Sequence, residues 1–184
     1  MIFRGPHADV STPKINVVDF VLGNISAHEN KTAIIQAETN RKISYRELSE
    51  SIHRLAAGLQ ATGFKKGDVL AIYSPNVPEY AFIFLAVIKL GGICTTVNPL
   101  YTADELAKQL IDAKVKLIIT VPDFLDKAEE AIKKHQVDEL FVIGEAKGHR
   151  RLEELMQSDL TVIEPEISAE NDVCALPYSS GTTG

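Results

Sequence analysis

The stretch "DVLAIYSPNVPEYAFIFLAVIKLGGICTTVNP", residues 68–99, sets the grammar of the chain. Residues 68–74 are apolar and β-rich and read as a strand. Asn76, Pro78 and Glu79 then open a helix, because proline fits the first helical turn and an acidic side chain suits the positive end of the helix dipole. The apolar run 80–90 fills that helix, and Lys89 with Gly91 and Gly92 closes it. At 93–98 "ICTTVN" is a second strand, halted where Pro99 follows Asn98, since the residue before proline is pushed extended.

The same grammar repeats to both sides. Downstream, Thr102 and Glu105 have the spacing of a capping box and start the helix "ADELAKQLIDAK". "VKLIITV" is an apolar strand, "PDFLDKAEEAIKKH" a helix and "ELFVIG" another strand. Upstream, Ser44 and Glu47 form a second capping box before a helix whose Leu48, Ile52, Leu55, Ala56 and Leu59 make one apolar stripe. Gly63 stands where a left-handed helix cap is needed. "TAIIQAE" and "RKISY" flank Thr39-Asn40 as a hairpin, and 17–28 is expected as a first helix with Val17, Phe20, Val21 and Ile25 on its buried face. Strands alternating with amphipathic helices imply right-handed crossovers and a doubly wound, mostly parallel α/β sheet with helices on both faces.

Residues 1–16 read as an extended arm and 145–172 as a less ordered connection holding one short helix. "VCALPYS" at 173–179 regains strand character. A length of 184 residues suits one domain. With 45% hydrophobic and 24% charged residues the chain is built to fold. A formal charge of −6 argues against a nucleic-acid partner, whose binders carry a basic face. The basic clusters at 65–66, 133–135 and 149–151 are short and flanked by carboxylates, so solvated element ends explain them. The run 80–90 is far shorter than the ~20 residues a membrane helix needs, so no transmembrane segment is expected. No apolar leader follows Met1, and Cys94 and Cys174 match no metal spacing, which together suit reduced thiols in a cytoplasmic protein. His53 is expected at the surface of its helix. The pairs Glu129-Glu130 and Glu153-Glu154 read as solvated helix faces, not as a general acid and base.

The last residues, "LPYSSGTTG" at 176–184, admit several meanings. A linker is seldom introduced by an apolar strand. A serine nucleophile would need the Gly-x-Ser-x-Gly elbow, which is absent. A phosphate-binding turn fits, because glycines let consecutive N–H groups face an anion while hydroxyls add donors. It is not a Walker A loop, having no lysine. Composition alone sets phosphate binding only slightly ahead of a structural turn.

"LPYSSGTTG" resembles the signature loop of the adenylate-forming superfamily, which takes in acyl-CoA synthetases, luciferases and peptide-synthetase adenylation domains. "ISYREL" at 43–48, "GDVLAIYSPNVPEY" at 67–80 and "VNPLYTADEL" at 97–106 agree in order and spacing. The opening "IFRGPHADV" and "DVCALPYSSGTTG" are most similar to its 4-coumarate-CoA ligase-like branch. The resemblance implies ATP with Mg2+, a small carboxylic acid and CoA as reactants, the acid being adenylated and then passed to the thiol. It implies that Ser179, Ser180, Gly181, Thr182, Thr183 and Gly184 wrap the β- and γ-phosphates. Pro99, Tyr101, Ser44 and Thr102 keep structural roles.

Family members continue past this loop to a lysine, the acyl pocket, a metal-binding glutamate and a mobile domain. The resemblance therefore makes residues 1–184 the N-terminal portion of an adenylating domain, inactive alone, weak toward ATP and prone to self-association. Two alternatives stand beside it. One is a naturally short binding or interaction module without catalysis. The other is a different adenylating enzyme of luciferase or peptide-synthetase type.

Overall fold

The computed structural model describes Gly5 and residues 13–179. Helix α1 (Val17–Leu22) starts at Asn16, whose side-chain oxygen accepts from the Asp19 N–H at 3.0 Å. The helix expected over 17–28 stops at Leu22, and a separate 3₁₀ turn covers Ile25–Ala27. Its expected face is also wrong: Val17, Phe20 and Val21 are 40%, 65% and 49% exposed, while Val18 is buried and Leu22 packs beside it. A helix this short offers two apolar stripes, and packing selects the Val18–Leu22 pair one turn apart.

Strands β1 (Thr32–Ile35) and β2 (Lys42–Ser44) form the expected antiparallel hairpin, with Asn40 in the left-handed region at φ 54°. Asparagine takes that conformation at little cost. Helix α2 (Tyr45–Ala61) has both halves of its capping box. The Ser44 hydroxyl accepts from the Glu47 N–H at 3.2 Å, and the Glu47 carboxylate accepts from the Ser44 N–H at 2.7 Å. Gly63 follows at φ 85°, a conformation that favours glycine.

From there the chain alternates β3 (Val69–Tyr73), α3 (Pro78–Lys89), β4 (Ile93–Thr96), α4 (Ala103–Asp112), β5 (Val115–Thr120), α5 (Leu125–Ile132) and β6 (Glu139–Val142). A short unit, β7 (Arg150–Arg151) and α6 (Leu152–Leu155), follows. The five strands pair in the order β4-β3-β5-β6-β7, all parallel. Successive side chains of interior strand β3 enter opposite cores: Leu70 and Ile72 join α2, α3 and α6, while Val69, Ala71 and Tyr73 join α4 and α5. This is the doubly wound sheet that the alternating grammar predicts. Each large apolar side chain so enclosed contributes roughly 1.5–3 kcal/mol.

The register slips once, with Val69 facing Val115 and Leu70 facing Leu117. The extra residue, Lys116, donates to Asp68 at 2.8 Å and to the Gly63 carbonyl at 3.1 Å, tying the lower edge of the sheet to the end of α2.

Beyond α6 the chain runs irregularly, yet side chains of the core elements fasten it. The Gln60 amide donates to the Ile163 carbonyl and accepts from the Ile163 N–H, both at 2.9 Å. Buried Lys89 pairs with Glu164, and Lys66 pairs with Asp172 at 2.6 Å.

Candidate functional site

Residues 173–179 do not form the expected strand. A single parallel bridge joins Cys94 to Ala175, in which the Cys94 N–H donates to the Cys174 carbonyl at 3.0 Å and the Leu176 N–H to the Cys94 carbonyl at 2.9 Å. Continuing the parallel ladder would bring the Thr96 N–H to the Leu176 carbonyl and the Tyr178 N–H to the Thr96 carbonyl. Side chains take these acceptors instead. The Thr95 hydroxyl donates to the Leu176 carbonyl at 2.9 Å, and Gln109 Nε2 donates to the Thr96 carbonyl at 3.2 Å. That substitution is why the strand ends almost as soon as it begins.

The bridge nonetheless fixes direction. Residues 174–176 run parallel to β4 on its outer side, so Ser179 leaves from the carboxyl end of the sheet. In open α/β sheets that end is where ligands bind, close to the point where connections reverse. Here they reverse between β3 and β5: β3 feeds α3 on one face, and β5 feeds α5 on the other. Of the expected phosphate-binding residues the structure describes Ser179. Ser180, Gly181, Thr182, Thr183 and Gly184 lie outside the described residues.

The segment's approach is held from α4. Gln109 Nε2 also donates to the Thr95 hydroxyl at 2.8 Å, completing a buried chain from Gln109 through Thr95 to Leu176. One turn on, Asp112 accepts from the Tyr178 phenol. Burial first, and the Asp112 hydrogen bond and charge next, push that phenol up to about 12, so it stays a donor through the neutral range. Sequence reasoning placed Gln109 in an amphipathic helix and gave it no task. The available signal is a glutamine beside Leu106 and Leu110 on the stripe that packs inward.

Cys94 and Cys174 are both free thiols. Burial, and then the neighbouring Cys174, push the Cys94 thiol up to about 12, which keeps it from acting as a nucleophile at neutral pH. The glutamate pairs take structural partners: Glu129 lies 3.2 Å from His149, and Glu154 lies 3.6 Å from Arg151. His53 is exposed on α2, its Nδ1 2.8 Å from the Ser49 carbonyl. Among the described residues no three His, Cys, Asp or Glu side chains stand close enough to hold a metal ion. No helix among them is long and apolar enough to cross a membrane.

A segment that brings Ser179 to the carboxyl end of a parallel sheet suits a phosphate group, with backbone N–H groups and hydroxyls as donors. The described residues add no carboxylate cluster for Mg2+.

The AMP-binding enzyme family matches residues 23–184. A 4-coumarate–CoA ligase from Humulus lupulus is 35% identical over 187 residues, spanning 100% of this chain and 34% of that enzyme. The solved anthranilate CoA ligase AuaEII, in complex with anthranoyl-AMP, aligns with a TM-score of 0.84 and 27% identity over 93% of this chain and 33% of its own. A long-chain-fatty-acid-CoA ligase from Archaeoglobus fulgidus shares the fold, with a TM-score of 0.87 and 24% identity over 98% of this chain and 37% of its own. The chain thus spans about a third of the length of the curated relatives it matches.

Proposed function

The chain belongs to the AMP-binding enzyme family, and from that premise we propose that it is part of an ATP-dependent carboxylate–CoA ligase. A carboxylate attacks the α-phosphorus of ATP to give an acyl-adenylate as pyrophosphate leaves, and the CoA thiol then takes the acyl group as AMP leaves. The observation that supports this reading is the parallel seating of residues 174–176 beside β4, which sends Ser179 toward the carboxyl end of the sheet. Ser179, Ser180, Gly181, Thr182, Thr183 and Gly184 bind the β- and γ-phosphates of MgATP, with hydroxyls and N–H groups meeting the charge that grows as pyrophosphate departs. The acid is a small aromatic carboxylate, a choice supported by the 4-coumarate–CoA ligase from Humulus lupulus.

The test is acid-dependent exchange of pyrophosphate into ATP by the longest uninterrupted product of the reading frame, screened over aromatic and fatty acids. Exchange with an aromatic acid is expected; exchange with none of them rejects the reading. Thr183→Ala removes one donor to a charged phosphate, worth about 1.5–3 kcal/mol. Exchange should therefore fall roughly tenfold to a hundredfold, and an unchanged rate removes Thr183 from the site.

A further inference from the structure

The sheet stops holding the loop segment at Leu176, and α4 takes over. We propose that Gln109 and Asp112, one turn apart on α4, are positioning residues that set residues 174–179, and through them the Ser/Thr/Gly run, in place of a backbone ladder. The role of that run in phosphate binding rests on the ligase reading above; the clamp itself rests on geometry.

Three observations carry it. First, the anchors meet alternate residues of one extended segment. The Cys174 carbonyl is held by the Cys94 N–H at 3.0 Å, the Leu176 carbonyl by the Thr95 hydroxyl at 2.9 Å, and the Tyr178 phenol by Asp112. Two of these three lead back to α4.

Second, the orientation of the Gln109 amide is forced. Both its contacts, with Thr95 Oγ1 at 2.8 Å and the Thr96 carbonyl at 3.2 Å, come from Nε2. Turning the amide over would set its oxygen against the Thr96 carbonyl, acceptor against acceptor.

Third, Gln109 is held at a cost. It is 3% exposed, and its Oε1 is buried without a hydrogen-bond partner among the described residues. A buried acceptor left so is unfavourable, and an apolar side chain would remove the penalty. A purely structural position beside Leu106 and Leu110 has no use for the amide. The donors on Nε2 are what a leucine could not supply.

Amide hydrogen exchange on the 184-residue chain tests the clamp, with Gln109→Leu and Tyr178→Phe as variants. The expected result is exchange at the Leu176 N–H at least tenfold faster in Gln109→Leu, with amides of β3 and β5 unchanged. In Tyr178→Phe, which deletes one exposed hydroxyl and threatens no core, the Leu176 N–H, bonded to the Cys94 carbonyl at 2.9 Å, should quicken as well. Unaltered exchange at Leu176 in both variants overturns the proposal, as does acceleration in step with β3, which would report general loosening.

The same variants in the longest product of the reading frame supply the second arm. KM for MgATP in pyrophosphate exchange should rise at least fivefold while KM for the acid holds. A parallel rise in both rejects positioning. If the unaltered product catalyses no exchange, the ligase reading falls, and the hydrogen-exchange arm still decides the clamp.

Discussion

Cys94 shows how burial becomes a pH dependence. Its thiol sits at 0% exposure in the α2–α3 core, and desolvation raises it from 9.0 to about 12. The fold therefore favours the neutral thiol. Its contribution is complete below pH 9 and is lost as the pH climbs through 9 toward 12. Tyr178 is raised in the same sense but from a reference of 10.0, so its loss begins later. The thermal midpoint should hold level to about pH 9 and then fall. Cys94→Ala should flatten the part of that limb between pH 9 and 10 while lowering the whole curve, because it leaves a small cavity. An equally steep limb in the variant would rule the thiol out. Gly58 makes the opposite point, a residue chosen for what it lacks. A Cβ there would lie 2.0 Å from the Leu155 carbonyl oxygen, a backbone atom that cannot swing aside. Alanine gains about 1 kcal/mol of helix propensity over glycine. Against this stands the displacement of α6, and overpacking of that kind costs about 1–3 kcal/mol or more. Gly58→Ala should thus be net destabilising in denaturant titration despite sitting inside α2, and a stabilised variant would mean that α6 yields freely.

The elements differ in how plainly the sequence announces them, and the difference is one of range. The capping boxes of α2 and α4 are local chemistry between residues three apart. Ser44 with Glu47 and Thr102 with Glu105 stand as their spacing predicts. Strands β3 and β5, apolar but for Lys116 and Thr120, need no partner to be recognised. α1 departs from its local pattern because six residues leave the buried face to be chosen by α3, which that pattern does not contain. The strand expected at 173–179 failed for a related reason: Gln109 and Thr95, distant in sequence, take over its rungs. For the candidate site, the glycine and hydroxyl composition was visible in the last residues, whereas the α4 clamp was not, since one of its ends lies about the middle of the chain. The irregular stretch beyond α6 is the third case. Its order comes from Gln60, whose amide holds both backbone groups of Ile163 at 2.9 Å, as a neighbouring strand would. Gln60→Ala should leave α2 helical, since alanine is the better helix former, but should raise amide exchange at Ile163 at least tenfold. Protection that survives the substitution would shift the anchoring role to the Lys89–Glu164 pair.

At the scale of the whole molecule, the question is which apolar surface stays open to solvent. An unpaired strand edge is the usual site of association, but both edges of this sheet are blunted. β7 is two residues long, and β4 is bridged at Cys94 by the segment around Ala175. Among the described residues one group of exposed apolar side chains lies together in sequence: Phe20 at 65% exposure, Val21 at 49% and Val17 at 40% on α1, with Ile15 at 47% just before it. Ile15, Val17 and Val173 also line one small cavity of about 60 Å³, so the patch continues onto the start of the loop segment. Contiguous apolar surface of this kind is what monomers rarely keep. Self-association of the 184-residue chain is therefore expected to run through α1 and not through strand addition. Light scattering over a concentration series should show the mean mass rising, and the double substitution Phe20→Ser with Val21→Ser should return it to the monomer. Both side chains lie largely in solvent, so the change should alter stability by no more than about 0.5 kcal/mol, which separates lost association from lost folding. A monomer at every concentration would overturn the expectation. Undiminished association in the variant would place the contact elsewhere, with Leu100 at 84% and Ile163 at 77% exposure as the next side chains to replace.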